Sequence, residues 1–284
     1  MIKMKVYRSI RSLTKKVFEI KKHNKTIGLV PTMGFLHQGH MSLIKRASRD
    51  TDCVIVSIFV NPAQFGPKED FEAYPGDFKK DLALCKKAGV DIIFAPDPKE
   101  MYPENFSTYV NVEKITDVLC GASRPGHFRG VATVVAKLFN ITMPDIAYFG
   151  QKDGQQVVVI KRMAEDLNMP IKIKAMPIVR EKDGLAMSSR NVYLSRKERS
   201  QALSISESLK LAKGLFNKGE RDAEKIINRM KRIVIDKQSG IKIDYIKIVG
   251  AENLKGVKKI SGRILVLVAV YVGKTRLIDN IILN

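Results

Sequence analysis

The segment TIGLVPTMGFLHQGH, residues 26–40, passes from a buried strand into a helix through a short loop. Residues 26–30 are apolar or β-branched, which is typical of a buried strand. Residues 40–49 then carry apolar side chains at helical spacing. The apolar face consists of Leu43, Ile44 and Ala47. A strand that leads so directly into a helix is the building unit of an α/β protein.

The same alternation extends through the first part of the chain. Further strands are predicted at residues 54–60, 91–94, 146–149 and 171–175. Helices are predicted at residues 77–88, 132–139 and 155–166. This order favours a parallel sheet covered by helices on both faces, a Rossmann-like arrangement. The dinucleotide fingerprint G-x-G-x-x-G is absent from the sequence.

Beyond Pro177 the pattern changes from alternation to helices followed by strands. Helices are predicted at residues 196–213 and 222–237, and strands at 242–249 and 263–272. A run of helices and then strands indicates a separate α+β unit. We therefore expect a Rossmann-like domain at 1–176 and a smaller C-terminal α+β domain at 177–284.

Length and composition place the chain among ordinary globular proteins. It has 284 residues, of which 45% are hydrophobic and 28% charged. The apolar run at 264–272 is shorter than the span of about 18 residues that a membrane helix needs. The first 25 residues lack the apolar block and cleavage site of a secretory signal. A cytoplasmic location without membrane contact is the expectation.

The three cysteines do not form a recognisable site. Cys53, Cys85 and Cys120 are odd in number, widely spaced and without a C-x-x-C pair. Neither a disulfide framework nor a zinc site is supported by that pattern. We expect all three to be packing residues, because free cysteine behaves as a small buried hydrophobe.

The charge balance admits two explanations. Fifty Lys and Arg against 29 Asp and Glu leave a net charge of +21, which is typical of a nucleic-acid binder. The basic residues are nevertheless spread along the whole chain, as on a solvated lysine-rich surface. Only 7% of the residues are aromatic and none is Trp, so there is little material for stacking on bases. We expect no nucleic-acid partner, and an RNA-binding protein remains the alternative of another class.

His37 and His40 are the strongest candidates for chemistry. They are three residues apart and fall on the same side of the first helical turn, with Gly39 between them. A helix N-terminus after a strand offers free N–H groups to an anion. Histidine, with its pKa near neutral, can donate hydrogen bonds to oxygens that gain charge during phosphoryl attack. The alternatives are half of a metal site or incidental surface histidines.

Two later segments also suit phosphate groups. Residues 150–153, GQKD, close a strand and open a helix, which brings backbone donors and the charge of Lys152 to the sheet edge. Residues 187–190, MSSR, offer two hydroxyls and a guanidinium. The alternatives are a helix cap formed by Asp153 for the first segment, and a surface turn for the second.

Five segments in order carry a resemblance to a known family. Residues 31–40 resemble the H-x-G-H element of the nucleotidyltransferase superfamily that includes class I aminoacyl-tRNA synthetases. The flanking segments are similar to the pantothenate synthetase family in particular. They are VNPAQFGP at 60–67, RPGHFRGV at 124–131, YFGQKD at 148–153 and DGLAMSSRN at 183–191. The resemblance extends over essentially the whole chain and is weakest after Ser195.

The resemblance implies that the domain at 1–176 binds ATP and pantoate, that the domain at 177–284 is a lid, and that a set of residues forms the site. ATP is expected to contact Met33, Gly34, Phe35, Leu36, His37, Gln38, Gly39, His40, Gly150, Gln151, Lys152, Asp153, Val179, Met187, Ser188, Ser189 and Arg190. Catalytic roles are implied for His40, His37 and Lys152. Gln64 and Gln156 resemble residues that bind pantoate and β-alanine. His127 and Arg129 are expected to line the entrance or to support the site.

The resemblance also implies a reaction. It is the ATP-dependent condensation of pantoate with β-alanine through a pantoyl adenylate, with release of AMP and pyrophosphate. Mg²⁺ would be carried by the ATP phosphates, so no residue is assigned as a metal ligand, and a homodimer is implied. The alternative enzyme is another H-x-G-H nucleotidyltransferase. Two positions depart from the family pattern, Gly76 and Gly154, and the second is expected to loosen the start of a helix.

Overall fold

The strands form two separate sheets. A computed structural model describes residues 4–67, 69–236 and 240–284 of the chain. Within these ranges one sheet has six strands and the other has three. The strands of the larger sheet are β1 (Lys5–Tyr7), β2 (Ile27–Thr32), β3 (Cys53–Ile58), β4 (Ile92–Phe94), β5 (Ile146–Gly150) and β6 (Lys172–Met176). Those of the smaller sheet are β7 (Ile241–Gly250), β8 (Ile264–Val272) and β9 (Thr275–Leu283).

The larger sheet is parallel throughout, in the order β1-β4-β3-β2-β5-β6. From β2 the chain adds β3 and β4 on one side, and it returns to the other side to add β5 and β6. The direction of strand addition therefore reverses between β2 and β5. Ligands of open α/β sheets bind outside the carboxyl ends of the strands at such a reversal.

Helices cover both faces of this sheet. The helices of the chain are α1 (Ile10–Lys22), α2 (Gln38–Asp50), α3 (Phe78–Lys87), α4 (Pro98–Met101), α5 (Cys120–Ser123), α6 (His127–Thr142), α7 (Gly154–Asp166), α8 (Arg196–Asn217) and α9 (Ala223–Asp236). Because alternate residues of a strand point to opposite faces, β2 and β3 serve two cores. Leu29 and Ile55 pack with α1, α6 and α7, whereas Val30 and Val54 pack with α2 and α3.

The smaller sheet is antiparallel, and its central strand β8 is buried on both faces. On one face Val266 and Val268 pack in a core with α8 and α9. On the other face Leu265 and Leu267 pack in a cluster that includes Ile115 from the first part of the chain. The smaller sheet therefore depends on contacts with both parts of the chain.

The predicted fold class, a Rossmann-like parallel sheet followed by a smaller α+β unit, is confirmed. The predicted strands and most predicted helix ends lie within a few residues of the observed ones. The helix predicted at 132–139 is longer and begins at His127. The helix predicted at 222–237 extends to Asp236, and Lys237 lies outside the described residues.

Five of these strands and helices were not predicted: β1, β9, α1 and the two four-residue helices α4 and α5. In α1, the buried residues Leu13, Val17 and Ile20 recur at helical spacing, but lysines between them obscure the pattern. β1 is only three residues long, and its pairing with β4 cannot be seen locally. β9 carries the polar residues Asp279 and Asn280 at buried positions, which breaks the apolar signature of a strand.

All three cysteines are free and buried, and each packs in an apolar core, as predicted.

Across residues 4–67, 69–236 and 240–284, none of the helices combines the length and apolar character that crossing a bilayer requires.

Gly130 allows two backbones to touch. It lies in α6, and a Cβ atom there would come within 2.1 Å of the carbonyl oxygen of Ala63. Ala63 belongs to a 3₁₀ turn, Pro62–Gln64, which follows β3 and carries Gln64. A side chain of any size would push this turn away from α6, so glycine is required by the close approach.

We expect Gly130→Ala to lower the free energy of unfolding by about 1–3 kcal/mol, because overpacking displaces backbone. Gly214 provides the matched control, since it also lies in a helix but has open space where a Cβ would be. There alanine should raise stability by up to about 1 kcal/mol through helix propensity. Urea unfolding of both variants measures the two effects. Equal stability of Gly130→Ala and the wild type would show that the backbones are not in contact in solution.

Candidate active site

Two cavities meet near the carboxyl ends of β2 and β5. The smaller has a volume of about 210 Å³ and is lined by His37, His40 and Lys152. The larger has a volume of about 810 Å³ and is lined by residues from both sheet regions, including Cys120 and Arg276. Both cavities are lined by Arg124, His127, Lys152, Asp153, Gln156, Ser188 and Arg190. The two therefore form a connected cleft at the reversal of strand order.

His37 and His40 cap the start of α2 through a reciprocal pair of hydrogen bonds. The backbone N–H of Gly39 donates to Nδ1 of His37 at 3.1 Å. The backbone N–H of His37 donates to Nδ1 of His40 at 3.2 Å. The two rings lie with their centroids 4.1 Å apart. A Cβ on Gly39 would lie 2.8 Å from Cε1 of His37, so this cap requires glycine between the histidines.

These hydrogen bonds fix the tautomer of both rings. Because each Nδ1 accepts a hydrogen bond from a backbone N–H, a neutral ring must carry its own proton on Nε2. Burial lowers the pKa of His37 to about 4 and that of His40 to about 3, and the charge of Lys152 contributes to both shifts. Both rings are therefore neutral near pH 7. The pair offers two Nε2–H donors and is not poised for proton transfer.

The loop before α2 is held by a carboxylate that sequence analysis did not identify. Asp81, in the first turn of α3, accepts the backbone N–H of Phe35 at 2.8 Å and that of Leu36 at 2.7 Å. Gly34 and Phe35 both have positive φ values, 86° and 51°. A Cβ on Gly34 would lie 3.1 Å from Oδ2 of Asp81. The left-handed turn and the carboxylate together set the path of the chain into α2.

Lys152 lies in a 3₁₀ turn, Gln151–Asp153, between β5 and α7. Its Nζ atom is 3.7 Å from Oδ1 of Asp153. The turn is held from the other sheet by Asn280 of β9, which is 1% exposed. The Nδ2 group of Asn280 donates to the carbonyl oxygens of Gln151 and Lys152, each at 2.9 Å.

Gln151 adds a third hydrogen bond between this turn and Asn280, and the three together are called the Asn280 interlock. The Nε2 group of Gln151 donates to Oδ1 of Asn280 at 3.1 Å, so the side-chain amide of Asn280 is used as both donor and acceptor. A Cβ on Gly154 would lie 3.2 Å from both Nδ2 of Asn280 and Nε2 of Gln151. Gly154 therefore makes room for the interlock, and α7 begins at this residue.

The segment predicted to gather phosphate oxygens forms another 3₁₀ turn, Ser189–Tyr193. The Ser188 hydroxyl accepts the backbone N–H of Arg190 at 3.3 Å. The Arg190 guanidinium forms two hydrogen bonds to Asp70, at 2.9 Å from Nε and 2.7 Å from Nη2. Val179 and Met187 line the smaller cavity beside this turn.

Gln64 and Gln156 both line the smaller cavity. The Oε1 atom of Gln64 accepts a hydrogen bond from Nδ2 of Asn61 at 3.1 Å. The Nε2 group of Gln64 lies 3.0 Å from the sulfur of Met33. Gln156 follows the Lys152 turn on α7 and also lines the larger cavity. The two amides therefore belong to one cavity, although one follows β3 and the other follows β5.

His127 contacts the backbone carbonyl group of Gln64 and helps to position it. Its Nδ1 lies 2.9 Å from the carbonyl oxygen of Gln64, and its Nε2 lies 3.0 Å from Nη1 of Arg124. Since a carbonyl only accepts and a guanidinium only donates, the proton of the neutral ring is on Nδ1. Burial, followed by the charge of Arg124, lowers the pKa of His127 to about 4. Arg129 instead stacks over Tyr109, at 3.9 Å from the ring centre, and lines neither cavity.

Most of the residues predicted to contact ATP do line the smaller cavity. They are Met33, His37, Gly39, His40, Gly150, Lys152, Asp153, Val179, Met187, Ser188, Ser189 and Arg190. Five others line neither cavity: Gly34, Phe35, Leu36, Gln38 and Gln151. Leu36 is buried in the core, and Gln151 is engaged with Asn280.

Comparison with known families gives a match along nearly the whole chain. Residues 5–282 match the family described as Pantoate-beta-alanine ligase. A protein of Thermotoga petrophila called pantothenate synthetase is 56% identical over 281 residues, covering 99% of this chain and all of that protein. One of Clostridium acetobutylicum with the same name is 56% identical over 283 residues, covering 99% of this chain and 100% of that protein.

Solved structures are similar in the same way. The crystal structure of pantothenate synthetase from Thermus thermophilus superposes with a TM-score of 0.93 at 42% identity, covering 98% of this chain and 99% of that one. The pantoate-beta-alanine ligase of Francisella tularensis, complexed with beta-gamma ATP and beta-alanine, has a TM-score of 0.80 at 36% identity. That match covers 98% of this chain and 97% of the other.

The interlock at Asn280 generates a stability prediction. Asn280→Asp keeps the shape but removes both N–H donors and brings a carboxylate oxygen toward two carbonyl oxygens. We expect the free energy of unfolding to fall by about 2–4 kcal/mol, because two buried carbonyls lose their donors. Asn253→Asp is the control, since exposed Asn253 acts through Oδ1, which accepts Lys255 N–H. Urea unfolding measures the free energy of unfolding of both variants. An equal decrease in the two would argue against the interlock.

The buried histidines generate a pH prediction. In the unfolded chain a histidine protonates below a pKa of about 6.5, whereas His127 and His37 in the fold do so only near 4. The unfolded state therefore binds more protons between pH 6.5 and 4, and stability should fall as the pH falls through that window. Each histidine contributes at most about 1.4 kcal/mol per pH unit.

The test compares His127→Gln with the wild type by urea unfolding between pH 7 and pH 5. Glutamine can still donate to the Gln64 carbonyl and accept from Arg124, but it does not titrate. Its free energy of unfolding should therefore decline less steeply as the pH is lowered. Identical pH dependence in the two proteins would show that His127 is not held neutral by the fold.

Proposed function

Because the chain belongs to the pantoate-beta-alanine ligase family, we propose that the cleft between β2 and β5 condenses pantoate with β-alanine at the expense of ATP. The observation that carries this assignment is the capped histidine pair, two neutral Nε2–H donors at the reversal of strand order. The family match over residues 5–282 favours this reaction over that of another H-x-G-H nucleotidyltransferase. The net charge of +21 attracts anionic substrates and requires no nucleic-acid partner.

The first step activates the carboxylate of pantoate. A carboxylate oxygen attacks the α-phosphorus of ATP, the bond from that phosphorus to the bridging oxygen breaks, and pyrophosphate leaves. The Nε2–H groups of His37 and His40 donate to the α-phosphate oxygens as negative charge builds up on them. Because both rings are already neutral and oriented, no reorganisation is needed in the transition state.

Lys152 and the turn from Ser188 to Arg190 take the β- and γ-phosphates in this scheme. Lys152 brings a positive charge to both cavities, and the Arg190 guanidinium can bind phosphate oxygens in pairs. Asn280 fixes the carbonyl groups of the Lys152 turn, so Lys152 is presented from a rigid segment. The phosphates thus lie between groups from the two halves of the chain.

Gln64 and Gln156 bind pantoate in the smaller cavity. Amide side chains provide donors and acceptors for the two hydroxyls and the carboxylate of this substrate. The position of Gln64 is set by Asn61, by His127 and by the close contact of Ala63 with Gly130. In the second step the unprotonated amine of β-alanine attacks the acyl carbon of the adenylate. The acyl–oxygen bond breaks, AMP leaves, and the amine proton passes to solvent.

Mg²⁺ is proposed to arrive with ATP. Among the described residues no group of three or more His, Cys, Asp and Glu side chains is arranged to hold a metal ion. Sites that rely on substrate phosphates need only one or two carboxylates, and Asp153 lines both cavities beside Lys152. This arrangement fits a metal carried by the nucleotide, with Asp153 as the candidate side chain near it. When bound, Mg²⁺ neutralises charge on the phosphates.

The wider assignments are part of the same proposal. Residues 1–176 and 177–284 act as an ATP- and pantoate-binding domain and a lid domain, and closure shields the adenylate from water. The end of β6 at Met176 and the separate core around α8 and α9 support this division. A homodimer in the cytoplasm is proposed from the family resemblance, and the free buried cysteines are compatible with a reducing compartment.

The two-step scheme predicts exchange of labelled pyrophosphate into ATP with pantoate present and β-alanine absent. His40→Ala should reduce this exchange by about 10²–10³-fold, because a donor to transition-state charge is lost. His23→Ala is the control, since His23 is exposed and lines neither cavity. If this exchange required β-alanine, the adenylate intermediate would be contradicted. If His40→Ala exchanged pyrophosphate at the normal rate, His40 would not be a catalytic group.

A further inference from the structure

Arg190 is occupied by a carboxylate in this structure. Its Nε and Nη2 groups both bind Asp70, and the side chains are 28% and 27% exposed. Burial alone would raise the pKa of the Asp70 carboxyl, but the hydrogen bonds and charge of Arg190 lower it overall. The pair is therefore ionised near neutral pH and only partly screened by water.

The contact belongs to a larger junction between two segments. The hydroxyl of Tyr74 lies 3.5 Å from that of Ser189, and the hydroxyl of Tyr193 donates to the carbonyl oxygen of Ala73 at 2.8 Å. Asp70 therefore reaches Arg190 from a segment that is independently attached to the same 3₁₀ turn. The carboxylate is positioned against the guanidinium by its surroundings.

The residue before Asp70 makes the same kind of contact. Glu69 binds Arg124 through two hydrogen bonds, at 2.7 Å from Nε and 2.5 Å from Nη2. Arg124 and Arg190 both line the two cavities. Consecutive acidic residues thus neutralise two guanidinium groups in the cleft. Lys152, by comparison, has its nearest carboxylate oxygen among the described residues at 3.7 Å, from Asp153.

The chemistry of the guanidinium group makes this contact consequential. Arginine binds carboxylate and phosphate in the same planar, two-bonded manner. The Nε and Nη2 donors that bind Asp70 cannot bind two phosphate oxygens in that manner at the same time. A phosphate that takes this edge of Arg190 must therefore displace Asp70.

We propose that Asp70 is a positioning residue that holds Arg190 by this ion pair and releases it to the terminal phosphates of ATP when the nucleotide binds. The inference rests on the proposed function only for the identity of the phosphate ligand. Its consequence is that Asp70 competes with ATP and with the pyrophosphate product. Competition weakens the binding of both and speeds the departure of pyrophosphate.

The size of the effect follows from the type of pair. A two-bonded ion pair that is about one quarter exposed is expected to contribute about 1 kcal/mol, near the upper end for accessible pairs. Since about 1.4 kcal/mol corresponds to a tenfold change in affinity, removal of the competing carboxylate should tighten pyrophosphate binding about three- to tenfold.

The experiment measures the dissociation constant of inorganic pyrophosphate by calorimetry for the full chain and its variants. Asp70→Asn is nearly isosteric and removes the charge, and Asp70→Ser provides a second uncharged side chain should the first variant fail to fold. Glu72→Gln is the matched control, because Glu72 is exposed in the same segment and its loss changes the net charge equally. Thermal melting verifies that each variant is folded.

Tighter binding of pyrophosphate by the Asp70 variants, with Glu72→Gln near the wild type, would support the proposal. A residue that served only to fold the segment would give weaker binding when replaced, so weaker or unchanged binding overturns it. Equal tightening in Glu72→Gln would also overturn it, since the effect would then be a general one of net charge. Failure of the wild type to bind pyrophosphate overturns it as well. Pantoate-dependent exchange by the wild type tests the proposed function separately.

Discussion

The reversal of strand order between β2 and β5 is the constraint on which the rest of the site depends. Because the chain leaves these adjacent parallel strands toward opposite faces of the sheet, no connection covers their carboxyl ends. The α2 N-terminus with its histidines follows β2, and the turn that carries Lys152 follows β5. Groups that are 112 or more residues apart in sequence thus face one cleft without any special loop having to bring them together.

Hydrogen bonds to backbone groups fix the centre of the cleft, and ion pairs occupy its margin. Each histidine is oriented by a backbone N–H, the preceding loop is held by N–H donors to Asp81, and the Lys152 turn is held by the amide of Asn280. Such contacts are directional, so they preserve geometry. The arginines at the margin instead pair with carboxylates, and ionic contacts of this kind can be exchanged for those of an anionic ligand.

The local parts of the site could be predicted from sequence, whereas the partners that support it could not. The histidine pair, the Lys152 turn and the serine turn each sit at the end of a recognisable strand or in a short motif. Asp81, Asn280 and Asp70 act on segments 45 to 129 residues away, and an isolated acid or amide shows no sign of that role. Asn280 also made β9 hard to predict, because a polar side chain at a buried position contradicts the alternation by which strands are recognised.

The contacts of β8 and β9 also have a consequence for the order of assembly during synthesis on the ribosome. The parallel sheet can form once residue 176 has emerged, with its pairings already complete. The carbonyl groups beside Lys152 still lack their donor at that stage, because Asn280 is translated 128 residues later. Leu265 and Leu267 are likewise needed to cover Ile115. A nascent chain of that length therefore carries a fully paired parallel sheet beside a Lys152 turn whose carbonyl groups gain the Asn280 donor only when β9 docks.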